Sequence, residues 1–162
     1  RTGSPLHAAC WKHRRPARFV VPQRLFPPMT GIADTGFIVA FLNRRDQFHP
    51  WAVALARQIS EPLVTCEAVL AEAVFHTGSA ENVLALLSEG LLKMGFDFAS
   101  YRPRLETLAR RYADRSPDLA DLCLICLSER FPKLPVITMD RDFRAYRRHQ
   151  REAIPVVTPP GG

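Results

Sequence analysis

Short apolar runs alternate with stretches of helical periodicity along most of the chain. GIAD (31–34), PLVTC (62–66) and PVITM (135–139) have the length and composition of buried strands. GLLKMGF (90–96) and AIPVV (153–157) are weaker candidates for two more. Strands that are buried on both faces lack polar alternation, which is typical of parallel sheets.

The segments between these runs carry apolar residues at helical spacing. One stripe consists of Leu105, Leu108, Ala109, Tyr112 and Ala113. A second consists of Val83, Leu86, Leu87 and Leu91, and a third of Leu119, Leu122, Cys123, Cys126 and Leu127. Strands that alternate with helices predict an α/β fold, with a parallel sheet covered by helices on both faces.

The first 28 residues differ from the rest of the chain in pattern and in charge. They have no periodicity, contain five prolines, and hold six basic residues and no acid. We interpret 1–28 as a leader that is disordered or precedes a functional start at Met29, with a transit peptide or basic arm as the alternative. Residues 29–158 then form one domain, and 159–162 form a short tail.

The net charge of +6 resides in this leader. Without its six basic residues the chain has 16 basic and 16 acidic residues, so overall charge gives the domain no nucleic-acid signal.

Four cysteines favour a reducing, cytoplasmic setting over a disulfide scaffold. Cys123 and Cys126 fall on an apolar stripe, which favours packing over zinc binding. No apolar run approaches the roughly 20 residues of a membrane span.

Acidic residues follow the predicted strands, at the edge where an open α/β sheet binds ligands. Asp34 closes the first strand, and Asp140 closes PVITM, with Asp142 two residues later. Glu72 lies about two turns into the helix that follows PLVTC. The helix dipole explains Glu67, in the first turn of that helix, but it does not explain Glu72.

The segment SPDLADLCLICLSERF adds two more acids. Ser116 is expected to cap its helix, with Pro117 at the first position. Asp118 and Asp121 share one face at the edge of the apolar stripe. A cap, a turn or a solvated charge explains each acid alone, but together they predict a cluster. Clustered carboxylates repel one another unless a cation such as Mg²⁺ or Mn²⁺ neutralises them, as in metal-assisted phosphodiester hydrolysis.

Four segments together resemble the PIN-domain ribonucleases, and most closely the VapC-type toxins of bacterial toxin–antitoxin pairs. IADTGFIVAFLNRRDQFHPWA resembles the family's opening, and PLVTCEAVLAEAVF resembles the segment whose helix carries a glutamate, here Glu72. PDLADLCLICLSER resembles the third segment, with Asp121, and VITMDRDFRAYR the closing segment, with Asp140. Leu122 departs from the pattern, because the family usually has a small residue there.

The resemblance implies a three-layer α/β/α sandwich around a mostly parallel sheet of about five strands. It implies a metal-dependent endoribonuclease that leaves a 5′-phosphate and a 3′-hydroxyl. The catalytic and metal-binding acids would be Asp34, Glu72, Asp121 and Asp140. Asp118 and Asp142 are further candidates, and Asp142 is the alternative to Asp140 as the fourth acid.

The resemblance also implies supporting residues and partners. Thr35 and Thr138 would orient the carboxylates, unless their hydroxyls serve only turns or caps. The candidate contacts to the RNA backbone are Arg141, Arg144, Arg147 and Arg148, for which a solvated helix face is the alternative. The expected partners are an RNA substrate, a small antitoxin protein and a second copy in a homodimer. His49 and His76 are interpreted as surface or core histidines.

Two other functions fit an acid cluster. One is a different phosphoesterase or a DNA nuclease, although a phosphatase with an aspartyl nucleophile would need a second Asp where Gly36 stands. The other is a non-catalytic RNA-binding or antitoxin-sequestering module. Failure of a folded protein to bind Mg²⁺ would favour that module.

Overall fold

The computed structural model describes residues 29–161, which contain seven short strands and six α-helices. The strands are β1 (Ile32–Ala33), β2 (Leu63–Thr65), β3 (Leu92–Met94), β4 (Val136–Ile137), β5 (Arg147–Arg148), β6 (Glu152–Ala153) and β7 (Val156–Val157). The helices are α1 (Thr35–Leu42), α2 (His49–Ala56), α3 (Glu67–Thr77), α4 (Ala80–Ser88), α5 (Phe98–Arg111) and α6 (Leu119–Arg130). The predicted leader, 1–28, lies outside the described residues.

Five of the strands form one parallel sheet in the order β3-β2-β1-β4-β7. β1 lies at its centre, where Ile32 pairs with Val64 of β2 and with Val136 of β4. Helices cover the sheet, which confirms the predicted α/β fold and three-layer sandwich. Each of the five apolar runs contributes one strand to this sheet, including the two weaker candidates.

The strand order reverses at β1. From β1 the chain moves outward through β2 to β3, and then returns to β4 and β7 on the other side. The backbone N–H of Asp34 donates to the carbonyl of Ile137 at 3.2 Å, so the ends of β1 and β4 lie side by side. Connections leave these two ends in opposite directions, which opens a crevice at the usual ligand position of such sheets.

The predicted helical stripes are buried in part. Leu105, Leu108 and Tyr112 are buried, but Ala109 and Ala113 are exposed, because α5 ends at Arg111 and its buried face is narrower than the stripe. Helix α6 is buried on almost every side except at Leu119.

Cys66, Cys123 and Cys126 are buried and free, which confirms the packing role expected for CLIC. Within 29–161, every helix is too short or too polar to cross a membrane.

Helix α6 begins two residues later than expected, so the assignment of Ser116 as its cap was wrong. Asp118 is the cap: its carboxylate accepts from the backbone N–H of Asp121 at 2.8 Å. The Asp121 carboxylate accepts from the backbone N–H of Asp118 at 3.4 Å. This reciprocal capping box satisfies two N–H groups, whereas Ser116 sits in the preceding turn with φ 50°.

The basic run after Asp142 does not form the helix face that was considered for it. It forms a 3₁₀ turn (Arg141–Arg144) and then a two-stranded antiparallel hairpin of β5 and β6. His149 and Gln150, in the turn of that hairpin, have positive φ values of 45° and 71°. The basic residues of this run are therefore distributed over a turn and a hairpin, and they do not share one exposed helical face.

Candidate functional site

A cleft of about 300 Å³ opens at the carboxyl ends of β1 and β4, where the strand order reverses. The described residues that line it are Asp34, Thr35, Gly36, Val39, Asp46, Glu72, His76, Asp118, Asp121, Met139 and Asp140. Six of these residues are acidic, and no Lys or Arg is found among them. The cleft therefore carries a strong negative charge when its carboxyls are ionised.

The four predicted catalytic acids reach this cleft from four separate segments. Asp34 follows β1 directly, and Asp140 follows β4 after two intervening residues. Glu72 projects from α3, and Asp121 projects from the first turn of α6. Asp118 also lines the cleft, but Asp142 is not among the described lining residues, and its carboxylate lies 3.8 Å from Nη1 of Arg115.

One buried hydroxyl links the first acid to the fourth. The Thr138 hydroxyl donates to Oδ2 of Asp34 at 2.5 Å and accepts from the backbone N–H of Asp140 at 2.9 Å. Oδ1 of Asp34 accepts from the backbone N–H of Thr35 at 2.6 Å. Both oxygens of Asp34 are therefore held, so the orientation of this carboxylate is fixed by the ends of two neighbouring strands.

The other two acids have two contacts each, and one of those of Asp121 is the capping-box N–H of Asp118 at 3.4 Å. Oε2 of Glu72 accepts from the Thr35 hydroxyl at 2.7 Å, and Oε1 lies 3.6 Å from Nε2 of His76. Oδ2 of Asp121 accepts from the hydroxyl of the buried Tyr146 at 3.5 Å. Burial, together with the charge of Asp121, raises the pKa of Tyr146, so this hydroxyl keeps its proton and remains a donor.

Burial raises the pKa values of two of these carboxyls. It raises the pKa of Asp34 to about 6, and the charges of Glu72 and Asp140 add to the effect. It raises the pKa of Asp121 to about 7, with further contributions from Asp118, Asp140 and Asp34. Ionising these groups at neutral pH costs free energy, because little water and no described lining cation compensates their charge.

The donor set of the cleft suits a hard divalent cation. Its carboxylate oxygens are the ligands that Mg²⁺ and Mn²⁺ prefer. In residues 29–161, however, no three His, Cys, Asp or Glu side chains are close enough to share one ion as they lie. Binding of one ion would require carboxylates of the cleft to reorient, and for Glu72 and Asp121 this would disturb their contacts with Thr35, Asp118 and Tyr146. Asp34, Glu72, Asp121 and Asp140 are the residues that could hold such an ion.

The four arginines predicted to contact RNA are not among the described residues that line the cleft. Arg148 is engaged by the protein: Nε donates to Glu152 at 3.0 Å and Nη1 donates to the carbonyl of Pro132 at 2.6 Å. Nη1 of Arg147 donates to the carbonyls of Arg144 and Tyr146. Arg141 and Arg144 are exposed. Both lie within four residues of Asp140, which lines the cleft.

Three residues of this region were not predicted from the sequence to belong to it. His76 lines the cleft, and its position four residues after Glu72 places both on one helix face, which was a usable signal. Asp46 also lines the cleft, from the loop between α1 and α2, and nothing in its sequence context indicated this. The Tyr146 hydroxyl donates to the Asp121 carboxylate, although its sequence context indicates only an ordinary core aromatic.

Replacement of Thr138 by valine is expected to lower the free energy of unfolding by about 1–3 kcal/mol. Valine has nearly the same shape, but it leaves Oδ2 of the buried Asp34 and the N–H of Asp140 without their partner. Urea denaturation measures the change. Thr107→Val is the control, since its hydroxyl bonds Pro103 on an exposed helix surface. Equal losses in both variants would contradict a special role for the Thr138 hydroxyl.

Comparison with models of known protein families identifies the family of this chain. Residues 32–149 match the PIN domain, a span that includes β1, β4 and all four predicted catalytic acids. A comparison with curated proteins found no match. PIN domains are generally nucleases and typically use divalent metals. Because the match covers well over half of its length, this chain belongs to the PIN domain family.

Proposed function

We propose that this protein is an endoribonuclease that hydrolyses RNA phosphodiesters with Mg²⁺ or Mn²⁺ held by Asp34, Glu72, Asp121 and Asp140. The observation that carries the proposal is the convergence of these acids, from four separate segments, on one cleft whose described lining lacks Lys and Arg. A cap or a turn explains one acid at a time. It does not explain why all four meet where the strand order reverses.

A bound divalent cation supplies the charge that neutralises the carboxylates and lowers the pKa of the attacking water. The chain's own residues fix the geometry around it. Thr138 and the Thr35 backbone hold Asp34 in one orientation, while the hydroxyls of Thr35 and Tyr146 guide Glu72 and Asp121. The water oxygen forms a bond to phosphorus, the bond to the 3′ oxygen breaks, and that oxygen leaves as a hydroxyl after it takes a proton.

Exposed arginines at the edge of the acidic cleft would bind the RNA backbone. Arg141 directly follows Asp140, and Arg45 directly precedes Asp46, so each exposed cation adjoins a lining acid along the chain. Cations in these positions attract phosphates that the cleft itself repels. Arg144 is a further candidate, whereas Arg147 and Arg148 contribute mainly to the hairpin.

The proposed biological role is that of a VapC-type toxin, controlled by a small antitoxin protein and active as a homodimer. Support comes from the four motif segments and from the PIN domain match. Expression of the parent protein in a bacterial host should arrest growth, and expression of Asp121→Asn should not. Growth arrest by both proteins at equal level would contradict a toxic activity that depends on the acid cleft.

A non-catalytic RNA-binding module is the second candidate. It is favoured by one observation: in the described residues, no three acidic or histidine side chains lie close enough to share an ion as they stand. A module of this kind would bind RNA without cutting it and would not respond to divalent metal. The two candidates therefore differ in a single assay.

That assay is cleavage of mixed RNA and single-stranded DNA pools by the full chain, with Mg²⁺, Mn²⁺ or EDTA. We expect RNA cuts only with metal, and products that carry 5′-phosphates and are therefore competent for ligation. RNA binding without cleavage under every metal condition would establish the non-catalytic module instead. Preferential cleavage of DNA would replace RNA as the substrate while keeping the metal site.

A further inference from the structure

Phe75 is the most exposed large apolar side chain in the described part of the chain, with 82% of its surface open to solvent. It lies on α3 directly before His76, which lines the acidic cleft. The two rings meet edge to face, with centroids 5.4 Å apart and planes at 76°. One face of an aromatic ring is therefore presented to solvent beside the cleft and steadied by a second ring.

The neighbours of Phe75 on its own face of the helix include no large apolar side chain. One turn earlier on its helix stand Ala71 and Glu72, and the residues three and four positions later are Gly78 and Ser79. All four are small or charged. An isolated ring among such neighbours offers a flat surface rather than a hydrophobic patch, and it matches a single nucleobase better than a protein face.

The charge of the cleft makes a neutral contact useful at this position. Six described lining residues are acidic and none is Lys or Arg, so the backbone of an approaching nucleic acid is repelled from the cleft's mouth. Stacking on an aromatic ring attracts a base through its π face and does not depend on phosphate charge. Phe75 can therefore hold a strand close to the acids without adding a cation that would compete with a bound metal.

We propose that Phe75, backed by His76, is a base-stacking platform that holds an unpaired nucleotide of the substrate beside the acid cleft. The inference rests on the proposed nuclease function for its biological meaning and adds that the substrate is single-stranded where it is cut. Within a duplex both faces of each base are covered by its neighbours, so only an unpaired or splayed base can stack on this ring.

The test compares binding of a fluorescent single-stranded RNA of about 12 nucleotides with binding of the same sequence as a duplex. All proteins carry Asp121→Asn in the full chain, with Mg²⁺ present, so that the RNA stays intact. Phe75→Ala is expected to weaken single-strand binding about ten-fold, the usual effect of one lost stacking contact. Phe98→Ala is the ring-matched control, since Phe98 is 47% exposed and is not among the described residues lining the cleft.

A second variant gives a direct signature of stacking. Phe75→Trp should bind as tightly as the parent, and its emission should be quenched by single-stranded RNA but not by the duplex. The natural Trp11 and Trp51 are present in parent and variant alike, so the difference between the two reports position 75. Because Phe75 is exposed and alanine favours helix, Phe75→Ala should also melt at or above the parent's temperature.

The outcomes separate this inference from the proposed reaction. If Phe75→Ala and Phe98→Ala bind single strands equally well, and Phe75→Trp is not quenched, the stacking platform is overturned even where the parent cuts RNA. Loss of self-association by Phe75→Ala, with unchanged RNA binding, would overturn it in favour of a protein contact. Phe75-dependent binding by a parent that never cuts RNA would support the platform and overturn the nuclease.

Discussion

Replacement of Asp140 by asparagine is expected to lower metal-dependent RNA cleavage by about 100- to 1,000-fold, because it would remove a charged ligand of the proposed metal site, where a cation would supply several kcal/mol. Asparagine retains the oxygen that accepts from the backbone N–H of Asp142 at 2.9 Å, so the 3₁₀ turn should persist. Initial rates on a labelled RNA at saturating Mg²⁺ measure the loss.

Asp142→Asn is the matched control for this variant. Asp142 stands two residues further on in the same turn, but its carboxylate faces Arg115 and is not among the described residues lining the cleft. Its replacement should leave the cleavage rate within about three-fold, as for a surface substitution. A larger loss at position 142 than at position 140 would contradict the assignment of Asp140 as the fourth acid.

In metal-free buffer, the free energy of unfolding is expected to fall as the pH rises from about 4 to about 7. Burial raises the pKa of Asp34 to about 6 and that of Asp121 to about 7, while both titrate near 3.8 when unfolded. Across this range Asp34 and Asp121 hold more protons in the folded chain than in the unfolded chain, and the stability that they contribute is lost as those protons dissociate. For Asp34 the loss is about 3 kcal/mol; the more exposed Asp121 contributes less than its pKa implies, because solvent screens it.

Asp34→Asn isolates the larger part of this effect. The difference in unfolding free energy between parent and variant, measured in urea with EDTA, should shift toward the variant by about 3 kcal/mol between pH 4 and pH 7.5. Taking this difference cancels the titrating groups that do not interact with Asp34, whereas part of the contribution of Asp121 remains because the Asp34 charge helps to raise its pKa. Addition of Mn²⁺ should stabilise the parent at pH 7.5 by mass action. A difference that does not change with pH would show that burial of the Asp34 carboxyl carries no such cost.

The strands and two of the acids were predictable because both depend on local sequence. Runs such as PLVTC are mainly apolar and lack polar alternation, as is typical of strands buried on both faces, and an acid directly after such a run lies at the sheet edge that binds ligands. Asp34 and Asp140 followed from this rule. The same rule favoured Asp140, which closes the strand, and left Asp142 as the alternative; in the structure Asp140 is among the residues that line the cleft and Asp142 is not among those described.

The remaining features depend on contacts between distant segments. Ser116 and Asp118 are both good helix caps by residue type, and the turn that precedes α6 selects Asp118. Arg148 appeared free in sequence, but Pro132, sixteen residues away, accepts from it. Asp46 reaches the cleft through the path of a loop that carries no periodic signal. Such choices are set by tertiary packing, which one sequence does not display.

The acid cleft reflects a compromise between stability and function. Six acids around one cleft destabilise the folded chain at neutral pH, and two hydrogen-bonded threonines limit only part of that cost. A fold selected for stability alone would pair such charges with Lys or Arg or replace them. Open α/β sheets bind ligands where the strand order reverses, so the position of these acids fits the proposed cation site.

Titration of the full chain with Mn²⁺, followed by the loss of the free-ion signal in electron paramagnetic resonance, is the direct test of the proposed metal site. We expect that the parent binds Mn²⁺ at neutral pH, that Mg²⁺ competes for the site, and that Asp34→Asn abolishes the binding while Asp142→Asn retains it. Equal Mn²⁺ binding by the parent and by Asp34→Asn, or no binding by a folded parent, would contradict the assignment of the cleft as a metal-dependent nuclease site.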